Sequence, residues 1–205
     1  MRWDPPQTNF SFLPPDQALE DRGLPEGRTL TRKNVKRELK KAGRLKNVAK
    51  ILTALPPPGS STHIIGNGAY DFFDWIPHLQ ELMGKPAHGW FSTWTMNRGN
   101  ALDLLELFDA GRLASLTMLT GLYFKRREAS VYATLLEGIQ ERGQRYLAFL
   151  NHTKLILLQA GGDYITVEGS ANLTSNPRLE QYVISNDREL LEFHVEWIEG
   201  LSWRR

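Results

Sequence analysis

From Thr62 onward the chain alternates short apolar runs with longer stretches of helical periodicity, and that alternation narrows its folding options more than any other feature. Runs at 62–66 (THIIG), 89–96 (GWFSTWTM), 115–119 and 145–150 have strand character. Between them, about 69–83, 99–110 and 125–142 repeat apolar residues at three and four, as in Leu102, Leu105 and Phe108 or Val131, Leu135 and Ile139. Repeated strand–helix units need crossover connections, which predicts an α/β fold with a parallel or mixed sheet flanked by helices. The last third changes rhythm. Strand-like runs at 154–158 and 164–167, joined by Gln-Ala-Gly-Gly-Asp, predict a hairpin; a strand at 181–185 and a closing helix near 187–200 follow. The aromatic residues between Phe72 and Trp94 fall in regular helix and strand patterns and read as core.

Residues 1–61 are of another kind. Eight of the eleven prolines lie at or before Pro58, so 1–27 reads as an extended arm. A basic amphipathic helix is expected within 28–55, N-capped at Thr31, with its apolar face formed by Val35, Leu39, Ala42, Leu45, Val48, Ala49 and Leu52. Residues 56–61 (PPPGSS) read as a linker to a domain over 62–205. The formal net charge of +2 conceals this division: Arg28 to Lys50 holds ten Lys or Arg and one acid, Glu38, leaving the rest of the chain net acidic. Such a helix is the electrostatic footprint of a nucleic-acid contact through Arg32, Lys33, Lys36, Arg37, Lys40, Lys41 and Arg44. The competing readings are a solvated helix face or a helix docked on the acidic body, and contact with an anionic membrane surface.

The 205 residues contain no cysteine, which excludes disulfide scaffolds, thiol catalysis and Cys-ligated zinc. None of the five histidines is paired at HExxH spacing, and no apolar run is long enough to span a bilayer. No metal or cofactor, no stable membrane insertion and a cytoplasmic location are therefore expected.

The chemistry is concentrated in 151–185. His152 and Lys154 head one strand, Gly169, Ser170 and Asn172 occupy the loop after the next, and Glu180 enters a third. Neighbouring strands lie about 4.8 Å apart, so side chains at matching ends converge. Histidine can act as nucleophile or acid near neutral pH, and a glutamate can hold its tautomer. Lysine, serine and asparagine supply donors to phosphoryl oxygens.

These residues resemble the HKD signature of the phospholipase D superfamily: His-x-Lys, an Asp, then Gly-Ser-x-Asn and a downstream Glu. The resemblance covers roughly 60–200. Two departures stand out. Fourteen residues separate Lys154 from Gly169 where the pattern has eleven, so the Asp falls on Gln159 or Gly162, with Asp163 out of register; the extra residues read as a longer turn around 160–163. This chain also holds a single His-Lys set where superfamily enzymes use two, which implies a homodimer that joins two copies of His152. The resemblance thus implies a metal-independent phosphodiesterase, foremost a nuclease working through a phosphohistidine, with His152, Lys154, Ser170, Asn172 and Glu180 as its catalytic set. A catalytically degenerate module that binds nucleic acid or protein is the alternative, and a phospholipase is a more distant one.

Overall fold

A computed structural model describes residues 35–175 and 177–201. The arm at 1–27, Thr31, Arg32 and Lys33 lie outside the described residues. In chain order the elements are α1 (Val35–Ile51), β1 (Ser60–Gly66), a short 3-10 turn (Phe72–Asp74), α2 (Trp75–Met83), β2 (Ala87–Thr93), α3 (Arg98–Asp109), β3 (Leu113–Gly121), α4 (Leu122–Arg127), α5 (Ala129–Glu141), β4 (Arg145–Phe149), β5 (Leu155–Ala160), β6 (Asp163–Gly169), β7 (Glu180–Asn186) and α6 (Arg188–Glu199). Among the described residues no helix is long and apolar enough to cross a membrane.

The seven strands form one mixed sheet in the order β1-β7-β6-β5-β2-β3-β4. The crossover units make β2, β3 and β4 parallel, and the last third supplies β5, β6 and β7 of the antiparallel side, as the change of sequence rhythm predicts; β1 joins that side at the far edge, antiparallel to β7. In β5, Leu155, Ile156, Leu157 and Leu158 are all buried, because helices cover both faces of this central strand. One face packs the main core, with Ile76, Leu104, Leu135 and Ile139 from the helices against Phe91, Ile156 and Leu158. On the other, Leu155 and Leu157 meet Leu191 and Ile198 of α6. The Asp187 side chain caps α6 by accepting the Leu190 N–H at 3.0 Å.

The β5–β6 hairpin corrects the expectation of a longer turn. Ala160 pairs with Asp163, leaving two loop residues, Gly161 and Gly162, at φ 58° and 101°. Both positions require the left-handed region, which is the geometry of a tight hairpin turn matched to strand twist. The extra residues lengthen the strands instead, and the Gly169 N–H still donates to the Lys154 carbonyl at 3.3 Å. Asp163 sits at the far end of this hairpin, accepting from Asn186 Nδ2 at 3.2 Å.

The packing face of α1 also differs from the expected apolar stripe. Leu39 is 68% exposed and Ala42 and Ala49 are exposed, whereas Val48 and Leu52 are buried. Toward its N-terminal end, cations face the body: Arg37 and Lys41 reach Asp103 at 2.5 and 3.2 Å, and Arg44 reaches Asp74 and Asp71 at 2.7 and 3.3 Å. These positions lie four, three and four apart with Val48, so they share one helix face. Three buried carboxylates needing counter-charge explain why that face, rather than the Leu39 face, turns inward.

Candidate active site

The register gathers one end of the sheet. Ser92 pairs with Leu155, Leu155 with Glu168, Gly169 with Tyr182, and Gly66 with Glu180. The carboxyl ends of β1, β2, β3, β4 and β6 therefore meet the amino ends of β5 and β7, the edge at which open α/β sheets bind ligands. His152, Lys154, Ser170, Asn172 and Glu180 all lie at this edge.

His152 is exposed in the segment between β4 and β5, yet the residues flanking it are tied down. Asn151 Nδ2 donates to Ser92 Oγ at 3.0 Å and to the Thr93 carbonyl at 3.2 Å. Its Oδ1 accepts from the Thr153 N–H and hydroxyl at 3.0 and 2.7 Å. Sequence reasoning passed over Asn151 and Thr153, whose signal was only two small polar residues bracketing the histidine. Lys154 Nζ lies 2.7 Å from His152 Nδ1 and 2.6 Å from the His152 carbonyl. An ammonium can only donate, so Nδ1 is the acceptor and the neutral ring carries its proton on Nε2. Burial lowers the Lys154 ammonium from its ordinary value, opposed by a raising pull from Glu180.

The Ser170 hydroxyl donates to Glu180 Oε2 and accepts the Gln181 N–H at 3.1 Å. Asn172 has a different duty: its Oδ1 accepts the Trp94 N–H at 3.2 Å and the Thr93 hydroxyl at 3.4 Å. That fixes the amide orientation and keeps Nδ2 as a donor. Gly169 is required by close approach, since a Cβ there would lie 2.9 Å from the Tyr182 ring.

No protein-family model matches the chain, and no curated protein matches it. Among solved structures, the polyphosphate kinase of Porphyromonas gingivalis aligns with a TM-score of 0.52 and 12% identity over 71% of this chain. The chain spans 27% of that protein's length. The fold is phospholipase D-like. TrmBL2, described as an archaeal chromatin protein with a novel mode of DNA binding, aligns over 81% of this chain and 62% of its own at 14% identity and a TM-score of 0.43.

In this phospholipase D-like sheet a cleft of about 460 Å³ opens beside His152 and Lys154, bounded by Glu168, Gly169, Ser170, His194 and Trp197. His194 was not singled out by sequence, because α6 lies outside the motif. Its Nδ1 accepts the Trp197 indole N–H at 3.1 Å, and its buried Nε2 lies 3.5 Å from Glu168 Oε1. Burial lowers the His194 imidazole below its ordinary 6.5, against a weaker raising pull from Glu168. On acidification the unfolded chain takes up this proton first. The His194 contribution to stability is thus full above the ordinary value and is lost as pH falls toward the folded one. Urea midpoints measured from about pH 7.5 down to 5 are expected to fall, and His194→Gln is expected to flatten that slope.

Two more sequence-predicted groups divide in the phospholipase D-like body. Of the cations assigned to nucleic acid, Arg37, Lys41 and Arg44 are held by Asp103, Asp71 and Asp74, while Lys36 and Lys40 are exposed. Of the aromatic residues expected in the core, Phe72, Phe73, Trp75 and Phe91 are buried. Trp94 is not: it is half-buried at the site edge, with its ring centroid 5.8 Å from that of His152. Period-two patterning ends with β2 at Thr93, so the strand rule does not extend to Trp94.

Proposed function

We propose that this chain is a metal-independent phosphodiesterase acting on nucleic acid, with His152 as its catalytic centre. The observation that carries the reading is the meeting of His152, Lys154, Ser170, Asn172 and Glu180 at one sheet edge beside an open cleft. A phospholipase D-like fold shared with a polyphosphate kinase fits phosphoryl chemistry, though fold alone assigns no activity.

In the proposed reaction, His152 Nε2 of one subunit attacks phosphorus. The P–O bond to the leaving group breaks, and that oxygen takes a proton from His152 Nε2 of a second subunit. Water then attacks the phosphohistidine, its proton returning to the second imidazole, and the P–N bond breaks. The acid copy is an imidazolium, formed when the resting ring takes a solvent proton on Nδ1, and it becomes a neutral imidazole on giving up its Nε2 proton. The attacking copy is the neutral Nδ1–H tautomer: as Lys154 swings to a phosphate oxygen, Nδ1 takes a proton from solvent and Nε2 gives its proton up to solvent, freeing the lone pair that attacks. Lys154 and Asn172 Nδ2 then donate to the non-bridging oxygens, and Glu180, on Ser170 at rest, accepts Nδ1–H. His194 is not the second histidine, because its Nε2 is buried against Glu168. The exposed Lys36 and Lys40, with Arg32 and Lys33, guide the polyanion.

The test is cleavage of a fluorescent single-stranded oligonucleotide in excess EDTA, with the mass of the active species read by light scattering. Persistent cleavage by a dimer is expected. A requirement for added divalent metal, or full activity in a monomer, overturns the mechanism, and absence of cleavage with retained binding assigns the chain to the degenerate binding modules.

A further inference from the structure

Next to His152 the sheet edge carries an aromatic surface that the catalytic set does not use. Trp94 and Tyr123 are stacked, with centroids 6.0 Å apart and planes 10° from parallel. Tyr123, at the start of α4, is 57% exposed. The Arg127 guanidinium lies 5.9 Å from the Trp94 ring centroid, and Arg126 beside it is exposed. The surface is built. Asn172 holds the Trp94 N–H, the Gly121 N–H donates to the Trp94 carbonyl at 3.3 Å, and a Cβ on Gly121 would sit 2.6 Å from Trp94 Cδ1. Gly121 has a φ of −70°, so backbone conformation does not demand glycine there; room for the indole does.

We propose that Trp94 and Tyr123, with Arg127, form a subsite that stacks an unpaired base of single-stranded nucleic acid beside His152. This rests on the phosphodiesterase reading in taking the strand to be the substrate. An exposed π surface bordered by cations matches a nucleotide, which offers a flat ring and a phosphate in one unit. A lipid headgroup offers no flat ring, and bases in a duplex are already stacked on one another. The adjoining cleft of about 370 Å³, bounded by Trp94, Arg98, Arg127, Glu128 and Thr174, gives the neighbouring nucleotide a path away from His152. The aromatic residues favour a strand over a second copy of this chain, although the exposed Leu150 lies on the same sheet edge.

The experiment measures equilibrium binding to protein carrying His152→Asn, which keeps the strand intact. Labelled oligo(dT) is compared at one salt concentration with an abasic strand of equal length and charge. Preference for oligo(dT) is expected at roughly 5- to 150-fold, the span of one base–aromatic stack. Tyr123→Ala should erase that preference without changing affinity for the abasic strand, Tyr123→Phe should restore it, and Arg127→Gln should weaken both strands alike. Equal affinity for the two strands, or a preference that survives Tyr123→Ala, overturns the subsite. Loss of dimer mass in Tyr123→Ala with the preference retained does so too, and assigns the surface to self-association. Because the readout is binding, an inactive protein that prefers oligo(dT) sinks the phosphodiesterase and keeps the subsite; an active one without preference does the reverse.

Discussion

His152→Ala is expected to lower phosphodiester cleavage by at least roughly 10⁴-fold, because in the proposed composite site one substitution removes nucleophile and acid together. The side chain is exposed and its backbone segment is held by Asn151 and Thr153, so the variant should unfold with the native urea midpoint. A mixing experiment sharpens the result. If each site needs His152 from both subunits, equal parts of native and variant chains, exchanged to equilibrium, leave only native pairs active. Activity then falls to about a quarter, where independent sites would leave about half. A half-active mixture would refute the composite site while leaving His152 essential. Lys154 gives the same site a pH signature: with its ammonium lowered by burial, the alkaline limb of the rate should begin below that of an ordinary lysine, and Lys154→Arg should move it up.

Arg44→Ala is expected to be the most destabilising single change on α1, by about 3 kcal/mol, the lower end of the range for breaking a buried ion pair since Arg44 is 23% exposed. Asp74 is 1% exposed, and Asp71 lies against the same guanidinium. Burial raises the Asp74 carboxyl even against the lowering pull of Arg44. Burial likewise depresses the Arg44 guanidinium, but Asp74, Asp71 and Asp103 outweigh it and raise it. Desolvation therefore dominates at the carboxylate, and Arg44 limits a cost that its removal would expose in full. Adding Asp74→Asn to Arg44→Ala should recover most of the loss in urea denaturation, while Lys36→Ala and Lys40→Ala should each stay within about 0.5 kcal/mol of native. An Arg44→Ala protein of native stability whose DNA binding loses salt dependence would return Arg44 to the nucleic-acid surface.

The contrast between Arg44 and Lys40 shows where sequence reading stops. Both belong to one basic run, and helical spacing says only which residues share a face. Whether a face is covered depends on partners 30 or more positions away: Asp74 for Arg44, Asp103 for Arg37 and Lys41. The stripe at 37, 41, 44 and 48 was present in the sequence, but Leu39 and Ala42 offered an equally regular apolar face. Burial of Asp71, Asp74 and Asp103 decided between them. Trp94 escaped for a related reason. It follows the last paired residue of β2, where the crossing of Asn172 and the closeness of Gly121 set its position, and neither is a neighbour in sequence.

By itself the sequence determined the strand–helix order, the antiparallel turn in the last third and the residue types available for phosphoryl chemistry, since apolar periodicity and turn glycines act over a few residues. Only the tertiary structure decided the strand order, the burial of α1's acidic partners and the company His152 keeps: Lys154 on Nδ1, Ser170 on Glu180, and the ring of Trp94 beside it. Those are contacts between segments brought together by sheet register, and a register is a property of paired strands that no single segment carries.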